Sequence, residues 1–400
     1  MLQRRAPARR GIITEASRTI GLSEDQLAFQ EMADQFGQEQ LAPHAEEWDQ
    51  HKIFPKDVLR EAAALGFGGI FIDPEHGGTG LNRLDGVVIF EALARGCTAT
   101  TSYLTIHNMC GWMIDTFGND EQKARWLPDL CAMDKFTSYC LTEPNSGSDA
   151  GSLRTTAVRD GDDFVLNGSK AFISGASQTD LLLVMARTGS QEDGTSGVTC
   201  FAVEADTPGL SYGAQERKMG WNCQPTAAVI MENCRVPAAN MLGGEGQGFK
   251  LAMAGLDGGR LSIGSCSIGA AQASFDMARE HLGDRQQFGR ALSSNQALQF
   301  KLADMQAQLH VGRSIVRQAA GAMDDGNPDK TALCAMAKRV ATDAGFEVCN
   351  EALQLFGGYG YLADYGVERN LRDVRVMQIL EGTNEIMRVI LARDILSANN

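Results

Sequence analysis

Four stretches of the chain join reactive side chains to the backbone freedom that ligand contact needs. Leu380-Glu381-Gly382-Thr383-Asn384-Glu385 sets an acid after the apolar pair Ile379-Leu380 and before a glycine. A carboxylate beside apolar groups has its pKa raised, which suits a general base, although a helix-capping or salt-bridged Glu has the same local pattern. Tyr139-Cys140-Leu141-Thr142-Glu143-Pro144-Asn145-Ser146-Gly147-Ser148-Asp149 leaves a strand for a loop dense in hydroxyls and free N–H groups. Such a loop cradles anions or ring edges, and an ordinary Pro/Gly/Ser turn shares its composition. Residues 167–175 alternate small polar and apolar groups around Phe172-Ile173-Ser174, as a strand entering a turn does. Gln354-Leu355-Phe356-Gly357-Gly358 closes a long helical pattern in glycines that let another backbone or a ligand come close.

Other chemistries lose ground on the same page. The sequence has no Gly-Lys dipeptide for a phosphate loop, no H-E-x-x-H, no paired Cys/His spacing and no G-x-S-x-G elbow. Gly244-Glu245-Gly246-Gln247-Gly248 has the wrong spacing for a dinucleotide fingerprint and reads as a turn before a helix. A net charge of -14 argues against nucleic acid. No apolar run nears the roughly 18 residues of a spanning helix, which argues against membrane insertion. Ten scattered cysteines without a C-x-x-C pair read as reduced, packed thiols of a reducing compartment. Arg4, Arg5, Arg9, Arg10 and Arg18, with the single acid Glu15, resemble an organellar presequence; a basic arm of a bacterial protein is the alternative. The matching locations are the mitochondrial matrix and the cytoplasm.

The elements that must position these stretches follow from periodicity. After a basic arm over 1–22, Ser23 and Gln26 form a capping-box start, and helical spacing runs with Gly/Pro breaks through 23–135. Strand-like runs separated by turns, with Asp160-Gly161 as a hairpin signal, predict an antiparallel β domain over 136–245. Four long helical patterns at 249–281, 295–323, 330–356 and 367–396 predict a four-helix bundle over 246–400. The class is α+β, mostly α.

Taken in this order, the four stretches resemble the acyl-CoA dehydrogenase family from about Gly21 to the C-terminus. The resemblance implies an N-terminal helical domain, a central β domain and a C-terminal four-helix bundle, a homotetramer, and FAD between the last two domains. Tyr139 to Ser148, Phe172 to Ser174, and Thr383, Asn384 and Glu385 match positions that hold the flavin and its ribityl chain. Arg285, Asn295, Gln296 and Gln354 to Gly358 match positions that reach the pyrophosphate and adenine of FAD in the adjacent protomer. Ser148, Asp257, Gly258, Gly259, Arg260, Gly382 and Arg393 match positions lining the acyl-CoA channel, where the two glycines would let pantetheine pass and Asp257 would accept a hydrogen bond from it. Glu381 matches the base that removes the α-proton, and electron-transfer flavoprotein would take the electrons. Asn145 stands where the family usually has glycine; should that site need φ > 0, Asn is the next best residue.

Within the family, residues 106–110, 138–142 and 220–222 resemble members acting on isobutyryl-CoA, in valine breakdown. A 2-methylbutyryl or short straight-chain substrate is the alternative. A non-catalytic flavin-binding protein is the alternative of another class.

Overall fold

The computed structural model describes residues 12–397. Helices α1 (Ile12–Thr19), α2 (Glu24–Phe36), α3 (Ala45–His51), α4 (Lys56–Ala64), α5 (Arg83–Ala94), α6 (Thr98–Phe117) and α7 (Asp120–Cys131) come first. The capping box at Ser23 is formed as its sequence requires, Ser23 accepting from the Gln26 N–H and Gln26 from the Ser23 N–H. The segment expected as a basic arm differs in its second half. Residues 12–19 are helical and docked: Ser17 Oγ accepts from Arg313 at 2.7 Å, and Arg18 pairs with Asp34. Composition shows a surplus of arginine but not the distant partners that fix it. Arg4, Arg5, Arg9 and Arg10 lie outside the described residues.

One eight-stranded sheet follows, made of β1 (Thr137–Cys140), β2 (Thr156–Asp160), β3 (Asp163–Ser174), β4 (Leu181–Arg187), β5 (Val198–Glu204), β6 (Leu210–Tyr212), β7 (Thr226–Pro237) and β8 (Met241–Leu242). Its order is β6-β7-β3-β2-β4-β5-β8, with β1 beside β4. The Asp160-Gly161 hairpin forms, pairing Asp160 with Asp163. The sheet is mixed rather than antiparallel throughout, because β1 and β2 both run parallel to β4. Local hairpin signals show neighbours joined by tight turns, whereas parallel pairs arise through longer connections. Between β6 and β7 a loop docks on both helical regions: the Trp221 N–H donates to Asp373 of the C-terminal helices at 2.6 Å, and Asn222 donates to Asp49 of α3.

The C-terminal region is α8 (Gly248–Asp284), a short hairpin of β9 (Gln286–Gln287) and β10 (Arg290–Ala291), α9 (Gln296–Asp324), α10 (Lys330–Phe356), α11 (Val367–Arg375) and α12 (Asn384–Ser397). α8 and α10 press together on small residues; at Gly345 a Cβ would fall 2.1 Å from Ser267 Oγ. The fourth long helix expected over 367–396 is broken. α11 ends at Arg375, a short turn follows, and α12 starts only at Asn384. The break carries two successive residues with positive φ, Glu381 at 55° and Gly382 at 88°. The apolar repeat lapses over residues 381–385, Glu-Gly-Thr-Asn-Glu, and resumes at Ile386; the helical patterns on either side draw a single helix across that short gap, and periodicity does not record the sign of φ.

Candidate active site

The break between α11 and α12 builds the centre of the site. Glu381 holds a left-handed conformation that a non-glycine residue adopts at a cost, so the surroundings must impose it. Three contacts do so. The Arg260 guanidinium, from α8, reaches the Glu381 carbonyl at 3.5 Å, Lys338 of α10 donates to the Gly382 carbonyl at 2.8 Å, and Thr383 Oγ1 accepts from the Ile386 N–H at 3.2 Å to start α12. The residue as a whole is partly exposed, yet its Oε2 is sealed from the surface and has no hydrogen-bond partner among the described residues. The sealed atom decides the chemistry. Burial pushes the carboxyl up to about 7, against the pull of Lys338 and Arg260. Neither capping nor a salt bridge accounts for this Glu; an unpartnered carboxylate near neutrality is poised to take a proton.

α8 supplies the floor, and here the expected roles shift. A Cβ on Gly259 would fall 2.5 Å from Glu381 Oε2, and one on Gly258 would fall 2.6 Å from Arg83 Nη1. The glycines thus make room for the base and for a buried arginine, rather than only for a passing pantetheine chain. Asp257 pairs with Arg260 at 2.6 Å and accepts from Thr331 Oγ1 at 2.7 Å, so both its oxygens are engaged inside the protein. Arg83 lies between the rings of Phe71 and Trp112, 4.2 and 4.4 Å from their centroids, and burial lowers its pKa to about 10. Arg393 stands exposed on α12.

The loop after β1 is fixed mainly by its own side chains. Glu143 is buried against Lys170 at 2.8 Å and accepts from the N–H groups of Arg154 and Thr155 at 2.7 and 2.9 Å. Cys140 is fully buried in the core of the sheet and Leu141 packs in an apolar cluster with Met109 and Leu256. Of the expected flavin contacts, these three therefore do structural work with their side chains. Ser146 Oγ donates to the Asp149 carbonyl, the Thr142 carbonyl accepts from the Ala171 N–H, and Tyr139 donates to the Ala252 carbonyl at 3.3 Å. Pro144, Asn145, Gly147 and Ser148 face outward. Asn145 is not among the positive-φ residues, so no glycine-like conformation is needed there. Phe172 is 70% exposed with φ 59°, at a register shift between β3 and β7, while Ile173 is buried and the Ser174 carbonyl accepts from Ser138 Oγ.

A separate cleft of about 370 Å³ gathers Arg285, Gln354, Leu355, Phe356, Gly357 and Gly358 with His281 and Tyr359. Arg285 sits 5.5 Å from the Tyr359 ring. Asn295 and Gln296 are at the start of α9 and do not line it; Asn295 accepts from Arg290 at 3.0 Å. The Asn384 side chain, expected at the flavin, is spent inside the protein on Lys338, Thr342 and Asp343, and Glu385 is exposed.

Two lysines central to this arrangement escape a motif search, although their signals exist. Lys170 sits on the inward parity of β3 with Phe164 and Leu166, and Lys338 sits on the buried stripe of α10 with Cys334, Ala341 and Thr342. A buried Lys needs an acceptor, which should have drawn attention.

A helical layer, a mixed sheet and a helical bundle close on a sealed carboxylate placed to take a proton. The chain belongs to the acyl-CoA dehydrogenase family: the models of its N-terminal, middle and C-terminal domains match residues 23–134, 138–234 and 246–396. Isobutyryl-CoA dehydrogenase, mitochondrial, of Bos taurus is 55% identical over 389 residues, 97% of this chain and 93% of that protein. The protein of the same name from Dictyostelium discoideum is 54% identical, over 94% of this chain and 90% of its own. Among solved structures, butyryl-CoA dehydrogenase from Megasphaera elsdenii superposes with a TM-score of 0.91 at 38% identity, covering 94% of this chain and 99% of that one. Among the described residues no helix is long and apolar enough to cross a membrane.

Proposed function

We propose that the protein oxidises isobutyryl-CoA to methacrylyl-CoA in valine breakdown, with Glu381 as the base. The observation that carries this reading is the sealed, unpartnered Oε2 of Glu381 on its left-handed turn. The two isobutyryl-CoA dehydrogenases, similar over most of the chain, support the substrate. Their names also support the mitochondrial matrix.

The residues fit FAD in three ways. Phe172 offers an exposed ring where β3 bulges, the loop at 144–148 faces outward, and the second cleft offers Arg285, with Gln287 and Gln354, to an anionic pyrophosphate. Bound FAD would supply the hydride acceptor. The second cleft would serve FAD held mainly by a neighbouring copy, in the homotetramer that the family resemblance implies. Phe288, 97% exposed at the tip of the β9–β10 hairpin, is the kind of group such a neighbour covers.

The chain's own part is proton transfer and geometry. Glu381 takes the α-proton, and the acidity of that position rises as negative charge gathers on the thioester oxygen. The Glu381 backbone N–H would donate to that oxygen. Seating a thioester excludes water and strengthens both interactions. Ser148 and the face of α8 would guide the CoA chain, and the reducing equivalents would pass to electron-transfer flavoprotein.

The test is an anaerobic visible spectrum of wild type and Glu381→Gln before and after stoichiometric isobutyryl-CoA, with 2-methylbutyryl-CoA and butyryl-CoA alongside. Fast bleaching of the flavin band, strongest with isobutyryl-CoA and lost in Glu381→Gln, is expected. Bleaching only with another thioester would move the substrate, and a colourless protein would sink the flavoenzyme reading.

A further inference from the structure

Lys338 is fully buried on α10, a position where an ammonium group is costly unless its donors are used. It donates to the Gly382 carbonyl and to Asn384 Oδ1, each at 2.8 Å. Asn384 is in turn fixed by donating to Thr342 Oγ1 at 3.0 Å and to Asp343 Oδ1 at 2.8 Å. Lys338 therefore grips the turn on both sides of Thr383. It makes no bond to the carboxylate it stands beside; Glu381 Oε2 has no partner among the described residues.

We infer that Lys338 is a positioning residue for the base: it fixes the left-handed turn from the backbone side and sets a cation near the carboxylate without pairing with it. The inference rests on the reading of Glu381 as the base. A direct ion pair would quench the carboxylate, and a neutral residue would leave the carboxyl protonated in its dry site. A lysine committed to a neighbouring carbonyl avoids both. Its charge lowers the Glu381 carboxyl against the larger upward push of burial, and burial brings Lys338 itself down to about 8. The other titratable or charged groups facing the pair are Arg260 and Cys266 of α8, Tyr139 of β1, Asp343 of α10 and Glu385 of α12. Arg260 is the only other cation among them, and Asp257 shares its charge.

The experiment uses the FAD-loaded, full-length protein and reads the rate of flavin reduction by isobutyryl-CoA against pH. Lys338→Gln keeps an amide donor for the Gly382 carbonyl and removes the charge; Lys338→Met removes both. The acid limb is expected to move to higher pH by roughly one unit in each, the lower end of what a nearby opposite charge does to a carboxylate. Well below that limb the rate falls about tenfold relative to wild type, and Lys338→Arg keeps the wild-type limb. A limb unmoved in a folded, yellow Lys338→Gln protein would falsify the inference, and so would a limb that moves equally in Lys338→Arg. Loss of fold in both neutral variants would also overturn it, making Lys338 a residue of the fold alone. Glu381→Gln separates the underlying reading: if that variant still reduces its flavin at the wild-type rate, the base assignment fails whatever Lys338 does.

Discussion

Two glutamates in this protein have a buried lysine as a neighbour, and they have opposite fates. Glu143 touches Lys170 at 2.8 Å and takes two backbone N–H bonds as well. Burial pushes its carboxyl up, but Lys170 and those donors win, and it lies below the usual range. Glu381 has its lysine turned to a neighbouring carbonyl and its Oε2 unpaired, and burial wins. The same two residue types thus make a strut in the β region and a reactive group in the helical region. What differs is whether the ammonium reaches the carboxylate or the backbone next to it.

The contrast can be broken at several points. Glu381→Gln should give the largest effect, a loss of about 10²–10⁴-fold in flavin reduction with little change in stability, measured by stopped flow and thermal melting. Glu143→Ala should do the reverse. It strands a fully buried ammonium and should cost about 3–5 kcal/mol in denaturant unfolding, while the double change Glu143→Leu, Lys170→Met should recover only part of that loss, because the N–H groups of Arg154 and Thr155 still lose their acceptor. If the single change proves harmless, the strut reading fails. Gly259→Ala puts a methyl 2.5 Å from Glu381 Oε2 and should slow flavin reduction by roughly 10²-fold through displacement of the base, with KM little altered.

Asp373 sharpens the comparison because it is buried with no lysine bonded to it, the nearby Lys218 donating instead to the Gln224 carbonyl and Thr226 Oγ1. Burial lifts it to about 7 against the pull of the Trp221 N–H. The folded chain then keeps a proton that the unfolded chain loses near pH ~4, so this contribution to stability is full below ~4 and is lost as pH rises towards ~7. Asp373→Asn should flatten that decline in urea midpoints measured across the interval. An unchanged slope would show that Asp373 is not raised.

Much of the scaffold was legible. The strand runs, the hairpin at Asp160-Gly161 and the first three long C-terminal helices rest on local pattern, and Glu381 was marked by its apolar flank and following glycine. What escaped depends on distant partners or on the sign of φ. The docking of residues 12–19 needs Arg313 and Asp34, the parallel pairing of β1 with β4 needs a long connection, and the break at Glu381 shows in sequence only as a five-residue lapse in the apolar repeat, with no sign of its positive φ. The glycines of α8 mark close approach, but sequence could not say that Glu381 and Arg83 would be what approaches.

The sealing of Glu381 Oε2 has an isotopic consequence. A proton placed on Oε2, which has no hydrogen-bond partner among the described residues and no exposed surface, has no relay to hand it on from that oxygen. With Glu381 as the base, the hydrogen taken from the substrate stays beside the carbon it left. On reversal the same nucleus returns, and α-deuterated substrate recovered from partial turnover in ordinary water should keep most of its label.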